Sequence, residues 1–304
     1  MEMRPLRYFA AVAETGHMTR AAEQLGIQQP PLSQQIKALE RHLGLQLFKR
    51  HPRGVTLTDA GRQFQVEAQR MLGHMAALEA RMQRVAQGEE GVLAVGFTSS
   101  AAAHAFVPQA LRAFRHARPR VQMQIDEHNA AGLTEAIAAG RLHCGLLRVP
   151  VDRPAGLRFE TLLREPVMAA LPVDHPLANR PGRARRLTLA QLCSEGLILV
   201  RRPGAPGLYA ELLALCHAQG LAPRVVAEVD RMMTNLNLVA AGVGLSVVPA
   251  SMAGVHPHAI RYLPLAGSEA LDAPLTLVTR QGEDSLPARQ FADLVRAQAQ
   301  AQTA

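Results

Sequence analysis

A chain of 304 residues, 48% apolar and 19% charged, has room for two or three domains with real cores and is too apolar to be a disordered tail. Its net charge is +8, and residues 1–58 hold 8 basic against 4 acidic side chains, so +4 of the +8 sits in one short stretch and favours a polyanionic partner. MEMRPLRYF has no apolar signal core, no apolar run reaches the ~18 residues of a membrane span, and Cys144, Cys193 and Cys216 lack CxxC spacing. A soluble, cytoplasmic chain with buried or incidental thiols and no membrane partner is therefore expected.

The first elements are short and amphipathic. Leu6, Phe9, Ala10 and Ala13 recur at i, i+3, i+4 and i+7, which predicts a helix with one apolar face. A second helix is expected to be capped by Thr19, to bury Ala22 and Leu25, and to end at a left-handed Gly26. The third begins near Gln29, where Pro30 and Pro31 are tolerated because first-turn N–H groups lack intrahelical acceptors. Its buried face is Leu32, Ile36, Leu39 and Leu43. Gln29, Ser33, Gln34 and Lys37 lie opposite, and Gly44 ends it. Leu45–Phe48 and Val55–Leu57 read as two strands around a tip carrying Lys49, Arg50 and Arg53. Helix, tight turn and polar-faced helix suit a DNA-reading helix-turn-helix, while an ordinary three-helix bundle has the same periodicity.

The residues themselves narrow this. RYFAAVAETG, TRAAEQLGI, QPPLSQQIKALE and LGLQLFKR, followed by LTDAG, closely resemble the N-terminal domain of LysR-type transcriptional regulators. The resemblance covers nearly every position from Leu6 to Gly61. It implies a winged helix-turn-helix over residues 1–58, with Gln29–Leu43 as recognition helix. DNA contacts are implied for Thr19, Arg20, Gln29, Pro30, Pro31, Ser33, Gln34, Lys37, Arg50 and Arg53. Two positions depart from the family pattern: Gln28, a poor N-cap where most members carry Ser, Thr or Ala, and Gln34, where Arg is common. Gln suits adenine N6/N7, whereas Arg suits guanine.

Thr58 and Asp59 open a long helix, assigned to residues 59–88 as linker and dimerisation element. Phe64, Ala68, Met71, Met75, Leu78, Met82 and Val85 follow at alternating spacings of four and three, a heptad seam. Packing on its own domain is the alternative, though that favours a wider apolar stripe. Pairing through Phe64, Met71, Met75, Leu78 and Met82 would make a homodimer, or a homotetramer built from it, and would place two recognition helices on an imperfectly palindromic operator.

From residue 91 to 304 strands and helices alternate. Strands are expected at Val92–Phe97, Val121–Ile125, Cys144–Val149, Val167–Leu171, Leu197–Val200, Arg224–Val229, Gly244–Val248 and Pro274–Thr279. The helices between them, at Val107–Phe114, Leu133–Ala139, Leu189–Cys193, Tyr209–Gln219, Met232–Ala241 and Pro287–Ala299, imply parallel α/β sheets. One large sheet is possible. The LysR resemblance, continued in EPVMAALPVDHPLA and LVAAGVGLSVVPAS, implies instead two lobes like those of periplasmic binding proteins, with an effector cleft between them. Lobe I would take about 91–162 and 265–304, and lobe II about 163–264. QPPLS, VPAS and a Ser pair after the first strand look most like the branch regulating aromatic and muconate catabolism.

Thr98, Ser99 and Ser100 lie where the first of these strands ends and a helix should begin, which makes either an anion seat or a plain N-cap. In LysR-type proteins this position lines the effector cleft. Asn129 and Arg148, each following a strand, reach the same edge by the rule for open α/β sheets, and Arg201 would face them from the other lobe. The twelve His form no metal cage, and GxSxG and Walker A sequences are absent. The chain thus reads as a LysR-type regulator that binds double-stranded operator DNA, itself and a small, anionic organic effector. No catalytic residue, metal or other cofactor is expected. An enzyme with an appended DNA-binding domain is the alternative.

Overall fold

Leu6, Phe9 and Val12 put one apolar stripe on the first helix, α1 (Met3–Thr15), and that stripe organises the N-terminal unit. The computed structural model describes residues 3–148, 154–179, 186–200, 207–268 and 271–303. It divides into two compact units, Met1–Val85 and Ala86–Ala304. In the first, α1 packs with α2 (Met18–Gln24) and α3 (Gln29–Leu43), followed by β1 (Phe48–His51), β2 (Gly54–Leu57) and α4 (Asp59–Ala86). Ala11 and Val12 are buried where Ala10 and Ala13 were expected. Leu32, Ile36 and Leu39 of α3 close the core, whose centre is Phe9, 5.1 Å from the Phe48 ring and 4.8 Å edge-on to Phe64. Such ring pairs add ~0.5–1.5 kcal/mol beyond their buried area.

Local signals explain most boundaries. Gly16, Gly26 and Gly44 all adopt positive φ and end the three helices. The cap of α2 is His17, whose side chain accepts from Thr19 N, so Thr19 is the capped residue rather than the cap. Gln28 makes no side-chain cap to α3, as its long amide suggested. The first wing strand starts three residues later than expected because Glu40 Oε1 accepts from Leu47 N (2.9 Å) and Phe48 N (3.2 Å), tying the preceding stretch to α3. At Gly54 an added Cβ would sit 2.4 Å from the Gly16 carbonyl oxygen, so only glycine lets the wing rest on the α1–α2 turn.

The second unit contains, in order, β3 (Glu90–Phe97), α5 (Ser99–Ala102), α6 (Phe106–Ala117), β4 (Arg120–Glu127), α7 (Ala130–Ala138), β5 (Cys144–Leu147) and β6 (Leu157–Pro172). Then come β7 (Leu187–Thr188), α8 (Leu189–Cys193), β8 (Gly196–Val200), α9 (Leu208–Ala218), β9 (Arg224–Val229) and α10 (Met232–Ala240). Finally there are β10 (Ser246–Pro249), β11 (Ile260–Ala266), β12 (Asp272–Arg280) and α11 (Leu286–Thr303). β3 pairs in parallel with β4 and β5, and β8 with β9.

The all-parallel expectation needs correction. β6 is antiparallel to β10, β11 and β12, so the sheets are mixed. Val167–Leu171 is only the end of a sixteen-residue strand, and Ile260–Ala266 is a strand the alternation did not mark. β6 serves both lobes. Leu157–Pro166 pairs with β12, and Val167–Pro172 with β10 and β11. The change of partner falls at Pro166–Val167, and the chain returns between β11 and β12. One core lies around Leu93, Val95, Phe114 and Phe291, a second around Leu133, Ile137 and Val278, and a third around Leu171, Leu197, Leu212 and Leu236.

Candidate operator interface and effector site

The outer face of α3 is polar and open. Gln29, Pro30, Pro31, Gln34 and Lys37 are exposed, Ser33 is half-buried, and Lys49, Arg50 and Arg53 project from the wing. Arg50 Nη2 donates to Ser33 Oγ at 3.4 Å, so wing and helix present one continuous donor-rich surface. Thr19 and Arg20 are also exposed, with the Arg20 guanidinium held on the Thr15 carbonyl at 2.9 Å. This surface carries cations of the kind a phosphate backbone attracts and amides of the kind that can pair with base edges.

The expected seam on α4 divides in two. Phe64 and Ala68 pack into the head's own core, so Phe64 is corrected from a pairing residue to a core residue. Beyond them, Met71 (46% exposed), Leu78 (52%) and Met82 (48%) stay open along one side of the helix, with Met75 half-buried.

In the second unit the parallel trio β4, β3 and β5 brings Thr98–Ser100, Asn129 and Arg148 to one edge, because each follows the C-terminal end of its strand. Thr98 takes the cap alternative, while Asn129 and Arg148 are engaged within the fold. Thr98 Oγ1 accepts from Ala101 N as the cap of α5 and lies 3.3 Å from the buried Ser100 hydroxyl. Asn129 Oδ1 accepts from Gly132 N at 2.8 Å and caps α7. Ser99, half-exposed, is the member of the group whose hydroxyl is not part of these caps. Arg201 lies outside the described residues.

Arg148 is 5% exposed and does not offer a free charge to a ligand. It is ion-paired to Glu165 and donates to the Ser100 carbonyl (3.1 Å), the Ala273 carbonyl (3.1 Å) and Ser251 Oγ (2.8 Å). Glu165 in turn accepts from Ser251 N and Oγ at 2.8 and 2.9 Å. Burial pulls the Arg148 pKa down, and Glu165 opposes that shift. The nearby His104 is also lowered, first by burial and then by the Arg148 charge. Glu165 and Ser251 were missed as site residues, although both lie in the two segments, EPVMAALP and VVPAS, that carry the family resemblance.

Across this edge α10 packs against α5, and Arg231 at its start meets Glu127 at the end of β4 at 3.4 Å. Below it lies a buried polar cluster. Tyr209 donates to the Val247 carbonyl (2.7 Å) and Ser246 to the Ile198 carbonyl (2.8 Å), leaving both hydroxyls to accept from Asn235 Nδ2 at 3.0 and 2.7 Å. Burial raises the Tyr209 pKa, which keeps the phenol protonated as that donor.

This arrangement, a winged helix-turn-helix unit and a two-lobed α/β unit, matches known proteins along its whole length. Residues 3–62 match the family described as "Bacterial regulatory helix-turn-helix protein, lysR family" and residues 86–300 the "LysR substrate binding domain". The chain belongs to the LysR family of transcriptional regulators. It is 40% identical to the uncharacterized HTH-type transcriptional regulator YnfL of Escherichia coli strain K12, over 96% of both chains. It is 36% identical to the HTH-type transcriptional regulator CatR of Pseudomonas putida, over 99% of this chain and 100% of that one. The crystal structure of CbnR, a LysR family transcriptional regulator, superposes with a TM-score of 0.81 at 30% identity, covering 97% of this chain and 100% of CbnR. Full-length CbnR complexed with its target DNA matches equally well, at 0.81 and 29% identity over 98% and 100%. As a LysR regulator the chain binds operator DNA through its N-terminal unit and a small molecule through its substrate-binding domain. Among the described residues no helix is long and apolar enough to cross a membrane.

Proposed function

We propose that the effector is a small organic anion seated at the start of α5, with Ser99 as its hydroxyl ligand, and that it acts on operator-bound oligomers as a shift in population. The observation that carries this reading is the convergence of the β3 and β4 ends with α10 from the opposite lobe. Backbone N–H groups at a strand-to-helix turn favour a carboxylate, and Ser99 keeps a partly open hydroxyl there. An effector that binds one disposition of subunits better than another moves the equilibrium by that difference and no more. The reading involves no turnover of the effector, in keeping with relatives that are named transcriptional regulators.

A thermal-shift screen of small carboxylates, each beside its neutral amide, tests the anion preference. Only the acids should stabilise. With an acid that binds, Ser99→Ala should weaken affinity about tenfold in calorimetric titration, since one charge-assisted hydrogen bond is worth ~1.5–3 kcal/mol, and the melting curve should hold. Thr98→Ala should do the reverse, costing about 1 kcal/mol of stability as a lost helix cap. Full affinity in Ser99→Ala would remove Ser99 from the seat.

On the DNA side, we assign base reading to Gln29, Ser33 and Gln34 and backbone contact to Arg50 and Arg53. In a randomised-operator selection Gln34→Ala should change the preferred bases, with ~1–3 kcal/mol at stake. Arg53→Ala should weaken all sequences alike and flatten the log–log salt slope by about one. Unchanged base preference in Gln34→Ala would contradict the assignment.

A further inference from the structure

The three cysteines carry no motif, yet the fold brings two of them together. Cys193 is the last residue of α8 and Cys216 lies in the last turn of α9. Their Sγ atoms are 3.4 Å apart inside the core of the second lobe. Leu192 of α8 and Leu212 of α9 belong to the same buried cluster. Both thiols are buried, Cys216 fully and Cys193 with 9% of its surface exposed, so Cys193 is the more accessible of the two. A disulfide has S–S ≈ 2.05 Å, so closing from 3.4 Å asks for little more than a modest side-chain rotation.

We infer that Cys193 and Cys216 form an internal thiol–disulfide couple that a peroxide or a small-molecule disulfide can oxidise. With hydrogen peroxide, the Cys193 thiolate attacks one oxygen, becoming a sulfenic acid and releasing water. Cys216 then attacks that sulfur and releases a second water. Two thiols and one peroxide give one disulfide and two waters, the peroxide taking both electrons. Cys193 acts first because it is the more accessible of the two.

The environment sets the rate. Burial pushes the Cys193 thiol up to about 12, helped by the neighbouring Cys216. Thiolate is therefore scarce at neutral pH, and the oxidation should be slow and speed up roughly tenfold per pH unit below that value. The product suits the site better than the intermediate, since a disulfide is uncharged and apolar. The bond would tie α8 to the C-terminal end of α9, whose opposite end is already fixed by Tyr209 to β10 and α10.

The test uses the native full-length protein, treated with hydrogen peroxide, quenched, unfolded in acid and alkylated. Of the three cysteines only Cys144 should take the label. The mass before labelling should drop by two hydrogens, and digestion should release a Cys193–Cys216 linked peptide. Cys144→Ser should oxidise like the parent, and Cys216→Ser should yield no internal link. Three labelled cysteines after prolonged exposure, or a Cys193 sulfinic acid beside a labelled Cys216, would overturn the inference. The wild-type chain decides the matter even if a serine variant fails to fold.

Discussion

Leu78→Glu combined with Met82→Glu should break the assembly and cost operator affinity ~10²-fold or more, the range lost when two linked half-site contacts become independent. Both side chains are about half exposed on α4 and lie outside the head's core, so the variant head should fold normally. In a paired seam the two substitutions set glutamates against their symmetry mates, where burial and like charge act in the same direction. Sedimentation velocity should show a smaller species, and cooperative half-site binding should disappear. An unchanged mass with unchanged affinity would place the pairing surface elsewhere. Phe64→Glu is the informative contrast. That ring packs edge-on against Phe9, so its loss should unfold the head rather than merely separate copies.

The largest effect on stability is expected at Arg148. Arg148→Met leaves the Glu165 carboxylate buried with only Ser251 donors, and removing one partner of a buried ion pair costs ~3–5 kcal/mol. Glu165→Leu should cost a similar amount for the converse reason. The double variant should be far less damaged than the sum, because no isolated charge is left behind. Urea unfolding of the three variants measures this. Additive losses would mean the two groups act independently, and a loss under ~1 kcal/mol in both single variants would mean that water reaches the pair freely. The network joins the end of β5, the start of β12, the lobe-crossing strand β6 and Ser251, so the same variants should also loosen the junction between lobes.

Local chemistry makes the DNA-reading head legible in the sequence alone. Three helix-ending glycines, prolines in the first turn of α3 and the Leu32, Ile36, Leu39 stripe each act over a few residues. A signal of that range survives in sequence. The same holds for the parallel strand ends, since a strand followed by a polar turn and a helix places Thr98–Ser100, Asn129 and Arg148 at one sheet edge whatever else the chain does. Even there the sequence left the role open. Thr98 reads equally as cap or anion seat, and only the 3.3 Å bond from Ala101 N makes it the cap.

What the sequence could not carry was long-range pairing. Leu157–Pro166 lacks the apolar alternation of a half-buried strand, and it is a strand because β12 aligns beside it from 106 or more residues away. Glu165 looks like a surface carboxylate until the fold delivers Arg148 to it. Cys193 and Cys216, 23 residues apart, become a pair only when α8 and α9 pack. Likewise the heptad seam runs unbroken through α4 in sequence, and tertiary contact alone assigns Phe64 and Ala68 to the head while leaving Met71, Leu78 and Met82 open. Periodicity records which face of an element is apolar. Which surface covers that face is settled by packing between segments distant in the chain, where desolvation and partner geometry outweigh any local preference.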